Sequence, residues 1–127
     1  MKNVILFLRA LSREDLKTKP GICKAVLIYK DCEKSMSFVR DNVTKEDIII
    51  YTMIQAIKML KEKCEIFVIS EYRIKKDKGN KLYKELIELM HAGGHKVYFE
   101  ASDEKARKRI CAFDITEYSR YMQRCGI

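Results

Sequence analysis

Long hydrophobic runs are missing from this chain. The apolar stretch nearest its start, Val4–Leu8, is too short for a signal peptide or for the roughly 20 residues of a membrane helix. We therefore expect a cytoplasmic protein with no membrane contact. Paired cysteine motifs are missing too. The five cysteines, Cys23, Cys32, Cys64, Cys111 and Cys125, are odd in number and form no CxxC. That argues against a disulfide framework or structural zinc and for reduced thiols. There is no glycine-rich phosphate loop. The only two histidines, His91 and His95, sit near a helix end and a turn. No Ser/His/Asp or Cys/His arrangement accompanies them, so we read both as surface residues. Internal repeats, low-complexity segments and linkers are absent, and 127 residues suit a single domain, 1–127, with one core.

What is present is a folded composition, 47% hydrophobic and 35% charged. The net charge is +8, which favours polyanionic partners, nucleic acid first.

The chain is organised around Thr44–Tyr72. Ile48–Leu60 predicts a helix that is apolar nearly all round, and such a helix is buried on most faces. Lys61-Glu62-Lys63 makes a charged turn. Ile66–Ile69 then predicts a strand inside a sheet covered on both sides. Thr44 is the expected N-cap, and Glu46 and Asp47 face the positive first turn.

Around that unit, Val4–Leu8 predicts a first buried strand, and Pro20-Gly21 a turn. Ile22–Tyr29 predicts a second strand, Asp31–Lys34 a hairpin turn, and Ser35–Arg40 a third strand with alternating polarity. Ser70–Asn80 is basic. Asn80 should cap a helix carrying Leu82, Leu86 and Leu89, ended by Gly93-Gly94. His95–Glu100 predicts a fifth strand with Val97 and Phe99 on one face. Ser102 should cap a long, basic final helix whose stripe is Ala106, Ile110, Phe113 and Tyr118. The order βββαβαβα implies an α/β fold with a five-stranded mixed sheet flanked by helices.

These segments resemble the ribonuclease H family. Pro20-Gly21 before Ala25–Tyr29 looks like the family's turn into its second strand. Ile54–Ile66 is similar to its central helix, turn and fourth strand. Ser70-Glu71-Tyr72 falls at its Thr-Asp-Ser motif, Asn80–Leu86 at the next helix, and His95–Phe99 at the fifth strand. The resemblance implies a ribonuclease H-like fold. It also implies an ancestry of enzymes that cut RNA in RNA–DNA hybrids with two magnesium ions, held about 4 Å apart by clustered carboxylates. Those carboxylates are mostly missing. The first-strand position falls at Arg9, or beside it at Leu8 or Ala10, and a cation there would repel metals. The central-helix position falls at Ile49, two residues from Asp47. Glu71 stands at the position after the fourth strand. On the last helix the position falls at Ala112, or at Asp114 with a two-residue insertion. The family's Gly-His loop is replaced by Glu100-Ala101-Ser102.

We therefore expect a catalytically degenerate relative that binds RNA–DNA hybrid or structured RNA and needs no cofactor. The phosphate contacts would come from Arg73, Lys75, Lys76, Lys78 and Lys81, with little sequence preference. A second reading keeps hydrolysis through a displaced site. Its catalytic residues would be Glu71, Asp114 and Asp47, with Glu46 and Asp103 as further candidates and Glu71 and Asp114 holding magnesium or manganese. A third is a protein-interaction domain or homodimer, resting on the Cys- and Tyr-containing last helix and on Met53, Met59, Met90 and Met122.

Overall fold

The computed structural model describes residues 1–11, 21–40, 43–71, 73–76 and 79–110. Eight elements follow in the order β1 (Lys2–Leu11), β2 (Gly21–Tyr29), β3 (Cys32–Arg40), α1 (Lys45–Lys58), β4 (Cys64–Ser70), α2 (Lys81–Gly93), β5 (Lys96–Ala101) and α3 (Asp103–Arg109). They build one five-stranded mixed sheet, ordered β3-β2-β1-β4-β5. β1, β2 and β3 form an antiparallel meander, and β4 and β5 add in parallel beside β1. Short connections dictate the meander, and the two helical crossovers dictate the parallel pairs.

Pleating sorts the side chains. Val4, Leu6, Leu8 and Ala10 of β1 share a face with Cys64, Ile66, Val68 and Ser70 of β4, and all eight are buried. α1 lies against this face and buries Ile48, Ile49, Ile50, Met53, Ile54, Ala56 and Ile57. Its one buried polar side chain, Thr52, donates its hydroxyl to the Ile48 carbonyl at 2.8 Å, so nothing is left unsatisfied there. α2 packs beside α1 through buried Leu86 and half-buried Leu82, Tyr83, Leu89 and Met90. β2 begins so close to α1 that a Cβ on Gly21 would come within 2.8 Å of Val43 and 3.2 Å of Ile48.

The structure differs from the expectations at the hairpin, on the second face of the sheet and in the last helix. The hairpin turn is Lys30-Asp31, not Asp31–Lys34. Lys30 adopts φ 52°, which closes a two-residue turn, so Tyr29 pairs with Cys32 and β3 starts three residues early. Among the described residues, α1 and α2 cover one side of the sheet. On the other, α3 runs from the end of β4, where the Ser102 N–H donates to Ser70 O, to β3, where Arg109 binds the Glu33 carboxylate. It helps enclose Ile22, Val26, Ala106 and Ile110, but Ile5 and Phe67 stay more than a third exposed. β1 and β4 are therefore not wholly buried strands. Last, the helix capped by Ser102 stops at Arg109, with Ile110 extended at φ −104° and ψ 97°. Residues 111–127, including Phe113, Asp114 and Tyr118, lie outside the described residues.

α2 closes in a left-handed cap. Gly94 has φ 66°, its N–H donates to His91 O, and the His95 N–H donates to Met90 O. Gly94→Ala should cost about 1 kcal/mol, because a Cβ is strained at this φ. Urea unfolding followed by circular dichroism would measure it; an unchanged midpoint would contradict the cap.

Candidate nucleic-acid interface

The end of β4, the start of α1 and the segment leading into α2 converge at one end of the sheet. Glu71 leaves β4 there with both carboxylate oxygens engaged. Oε1 accepts the Ala10 N–H at 2.6 Å, and Oε2 meets the Lys45 ammonium at 2.9 Å. The Glu71 side chain is only 8% exposed. A carboxylate that far out of water requires such partners. Lys45 opens α1, where the helix field disfavours a cation, so Glu71 also offsets that cost.

Glu46 and Asp47 do more than compensate the helix dipole. Glu46 Oε1 accepts the Lys75 N–H at 3.1 Å, and Asp47 Oδ1 accepts from Asn80 Nδ2 at 3.2 Å. Asn80 in turn caps α2 by accepting from Leu82 and Tyr83. Just ahead of these tethers Ile74 is buried and joins the core. A basic segment is thereby fixed at three points, and Arg73, Lys75, Lys76 and Lys81 project outward, all exposed. Lys78 and Asp114 lie outside the described residues.

The charge on α3 is largely spent internally. Lys105 pairs with Glu100, Arg107 with Asp103, Lys108 with Glu104, and Arg109 with Glu33. Arg73, Lys75, Lys76 and Lys81 have no ion-pair partner among the described residues. Among the described residues, the segment after β4 therefore carries cations outside ion pairs where α3 does not.

Deeper in the same end of the sheet lies Cys23, fully buried. Burial pushes its thiol up to about 12, and the nearby Glu71 charge adds to the rise. At neutral pH it is an inert thiol. The neighbouring Ser70 hydroxyl is also buried and makes no hydrogen bond among the described residues. Sequence reasoning missed the roles of Lys45, Ala10 and Ile74. For Ile74 a signal existed, as the one apolar residue between Arg73 and Lys75 in a basic run. For the other two there was none.

No family model and no curated protein matches this chain. Solved structures do. LC9-RNase H1, a type 1 ribonuclease H with the type 2 active-site motif, superposes with a TM-score of 0.61 at 11% identity, over 84% of this chain and 69% of that one. Ribonuclease H1 from the archaeon Halobacterium salinarum gives 0.61 at 12% identity, over 83% and 89%. The N-terminal ribonuclease H domain of a Mycobacterium tuberculosis protein, solved as a maltose-binding-protein fusion, gives 0.58 at 16%, over 82% and 90%. The chain has the ribonuclease H-like fold; at these identities the likeness carries the fold alone.

The described residues do not fit the two-magnesium site that the resemblance implies. Arg9 is not the residue facing the site. By strand alternation it lies beside Lys24 on the opposite face, and the inward positions are Leu8 and Ala10. The expected repelling cation is supplied by Lys45 instead. Ile49 is wholly buried in the core. Among the described residues, no three His, Cys, Asp or Glu side chains stand together as metal ligands. Of the displaced set, Glu71 is bound to Lys45 and Ala10, and Asp47 to Asn80. Asp103 is paired with Arg107.

Removing the ammonium should expose how much this end of the sheet depends on it. Lys45→Met leaves a nearly buried carboxylate with one hydrogen bond, and should cost about 1–3 kcal/mol in urea unfolding at neutral pH. Glu71→Gln, which keeps an acceptor for Ala10, should cost less. A neutral Lys45→Met would show that the pair is not holding β4 to α1.

Proposed function

We propose that this protein binds nucleic acid, as RNA–DNA hybrid or structured RNA, through the exposed basic segment between β4 and α2, without hydrolysing it by the two-metal route. The supporting observation is the contrast in charge pairing. Arg73, Lys75, Lys76 and Lys81 are held outward by buried Ile74 and by the Glu46 and Asp47 tethers. The cations of α3 are already paired. Preorganised cations on a fixed backbone suit phosphates, which position a duplex without reading its sequence. Lys78 belongs to the same run and is assigned the same role. The similar structures are themselves ribonucleases H, which supports a nucleic-acid partner.

The pairing of Glu71 with Lys45 supports the non-hydrolytic half of this reading. A magnesium ion needs near-octahedral oxygen coordination and dehydrates reluctantly. It would have to compete with an ammonium for the one carboxylate at a family position among the described residues. The protein needs no cofactor in this reading, and a reducing cytoplasm is its compartment. No helix among the described residues is long and apolar enough to cross a membrane.

Fluorescence anisotropy with a labelled hybrid and a labelled RNA duplex tests the surface. Replacing Arg73, Lys75, Lys76 and Lys81 together with alanine should weaken binding at least ~10-fold and flatten the logarithmic salt dependence by roughly three. Replacing Lys105 and Lys108 should change little. Equal affinity for the fourfold variant and the wild type would remove the assigned surface.

Incubating the labelled hybrid with folded protein in magnesium and in manganese tests the chemistry. No cleavage is expected in either. Cleavage that disappears in Glu71→Gln would replace this reading with a nuclease that uses a displaced site.

A further inference from the structure

Among the described residues, β5 forms one of the two edges of the sheet. β5 ends the strand order, and five of its six residues are exposed. Both of its aromatics stand in water, Tyr98 at 48% and Phe99 at 44% exposure. Register places them on opposite faces. Phe99 lies beside Val68 on the helical side, and Tyr98 lies beside Phe67 on the open side, their rings stacked with centroids 5.2 Å apart. An edge strand that pairs with no further strand among the described residues, and carries aromatics on both faces, is a template for another strand.

The charges on this strand say which strand fits. Lys96, Tyr98 and Glu100 share the open face, and Val97 and Phe99 the other. When two copies pair antiparallel about a two-fold axis at Tyr98, Lys96 of each lies opposite Glu100 of the other. Val97 lies opposite Phe99, and Tyr98 opposite Tyr98. Of the registers that keep the faces of the two copies aligned, only this one sets both opposite charges against each other. Cross-strand ion pairs and aromatic pairs are what stabilise adjacent strands, and like charges in those places destabilise them. Glu100 is not consumed within the protomer, because its contact with Lys105 uses Oε1 alone. The stacked row would run Phe67, Tyr98, Tyr98, Phe67 across the seam.

We propose that the protein forms a symmetric dimer through its β5 edges, centred on Tyr98, which joins the two sheets into one. The interface is isologous, each Lys96–Glu100 pair occurring twice. A six-residue edge stands at the small end of specific interfaces, below roughly 1,200 Å², so the dimer should dissociate in the micromolar range. This surface is separate from the basic segment between β4 and α2, and the two can fail independently.

Sedimentation velocity across micromolar to near-millimolar concentrations, with no nucleic acid present, tests the dimer. Wild type should shift from monomer to dimer. Lys96→Glu and Glu100→Lys, each setting like charges opposite one another, should each weaken association at least ~10-fold. The double variant Lys96→Glu/Glu100→Lys should restore it, since the swap recreates both ion pairs. Thermal melting confirms that every variant is folded. A wild type that stays monomeric, or single reversals that dimerise as well as wild type, would overturn the proposal. So would a double variant no better than the singles.

Discussion

Everything in this fold depends on burying one helix. α1 carries apolar side chains around most of its circumference and can meet water along very little of it. One side takes the face of β1 and β4 that holds Leu6, Leu8, Ile66 and Val68. Another takes α2, and the edge-to-face contact of Tyr51 with Phe38 reaches β3. At about 25 cal/mol per Å² of apolar surface removed from water, burying these side chains is a large stabilising contribution. The price is that positions pointing into it are committed to packing. Ile49 is among them, so the helix that would supply a carboxylate in a ribonuclease H active site supplies core instead.

With isoleucine at position 49, the charge at this end of the sheet is arranged around Glu71. A lone acid at the end of β4, almost removed from water, requires a permanent partner, and Lys45 with the Ala10 N–H provides one. The acids of the α1 first turn, left without a metal-binding neighbour among the described residues, hold the next segment in place through Lys75 and Asn80. A fold associated with anionic clusters thus presents cations at the same end of its sheet. Polyanion binding and metal-ion binding ask for opposite fields, and the proposed function rests on the first.

The second face of the sheet follows a different logic. α3 is two turns long and crosses from β4 towards β3, and Ile5, Phe67 and Tyr98 on this face stay more than a third exposed. Exposed aromatics at a bare edge are a liability in a monomer and an asset in an assembly. In the proposed dimer, the alternation of Lys96 and Glu100 about Tyr98 sets the register of that edge.

Periodicity and caps made most of the fold legible in the sequence. The apolar circumference of α1, the Thr44, Asn80 and Ser102 caps and the Gly94 terminus are local physics, and local physics is written in neighbouring residues. Strand existence was legible for the same reason; coverage was not. Val4–Leu8 and Ile66–Ile69 read as continuous apolar runs, and nothing in them says that α3 stops at Arg109 and leaves alternate residues exposed. The hairpin was misplaced because Lys30 accepts a positive φ that glycine or asparagine would have signalled.

For the interface, the sequence by itself determined that Glu71 stood nearly alone and that the run from Arg73 to Lys81 was basic. Only the tertiary structure decided what those facts meant. Lys45 and Glu71 are 26 residues apart in sequence, and Glu71 and Ala10 are 61 apart. Whether a charge is free or spent depends on which partners the fold brings within a few ångströms, and one-dimensional order does not hold that distance.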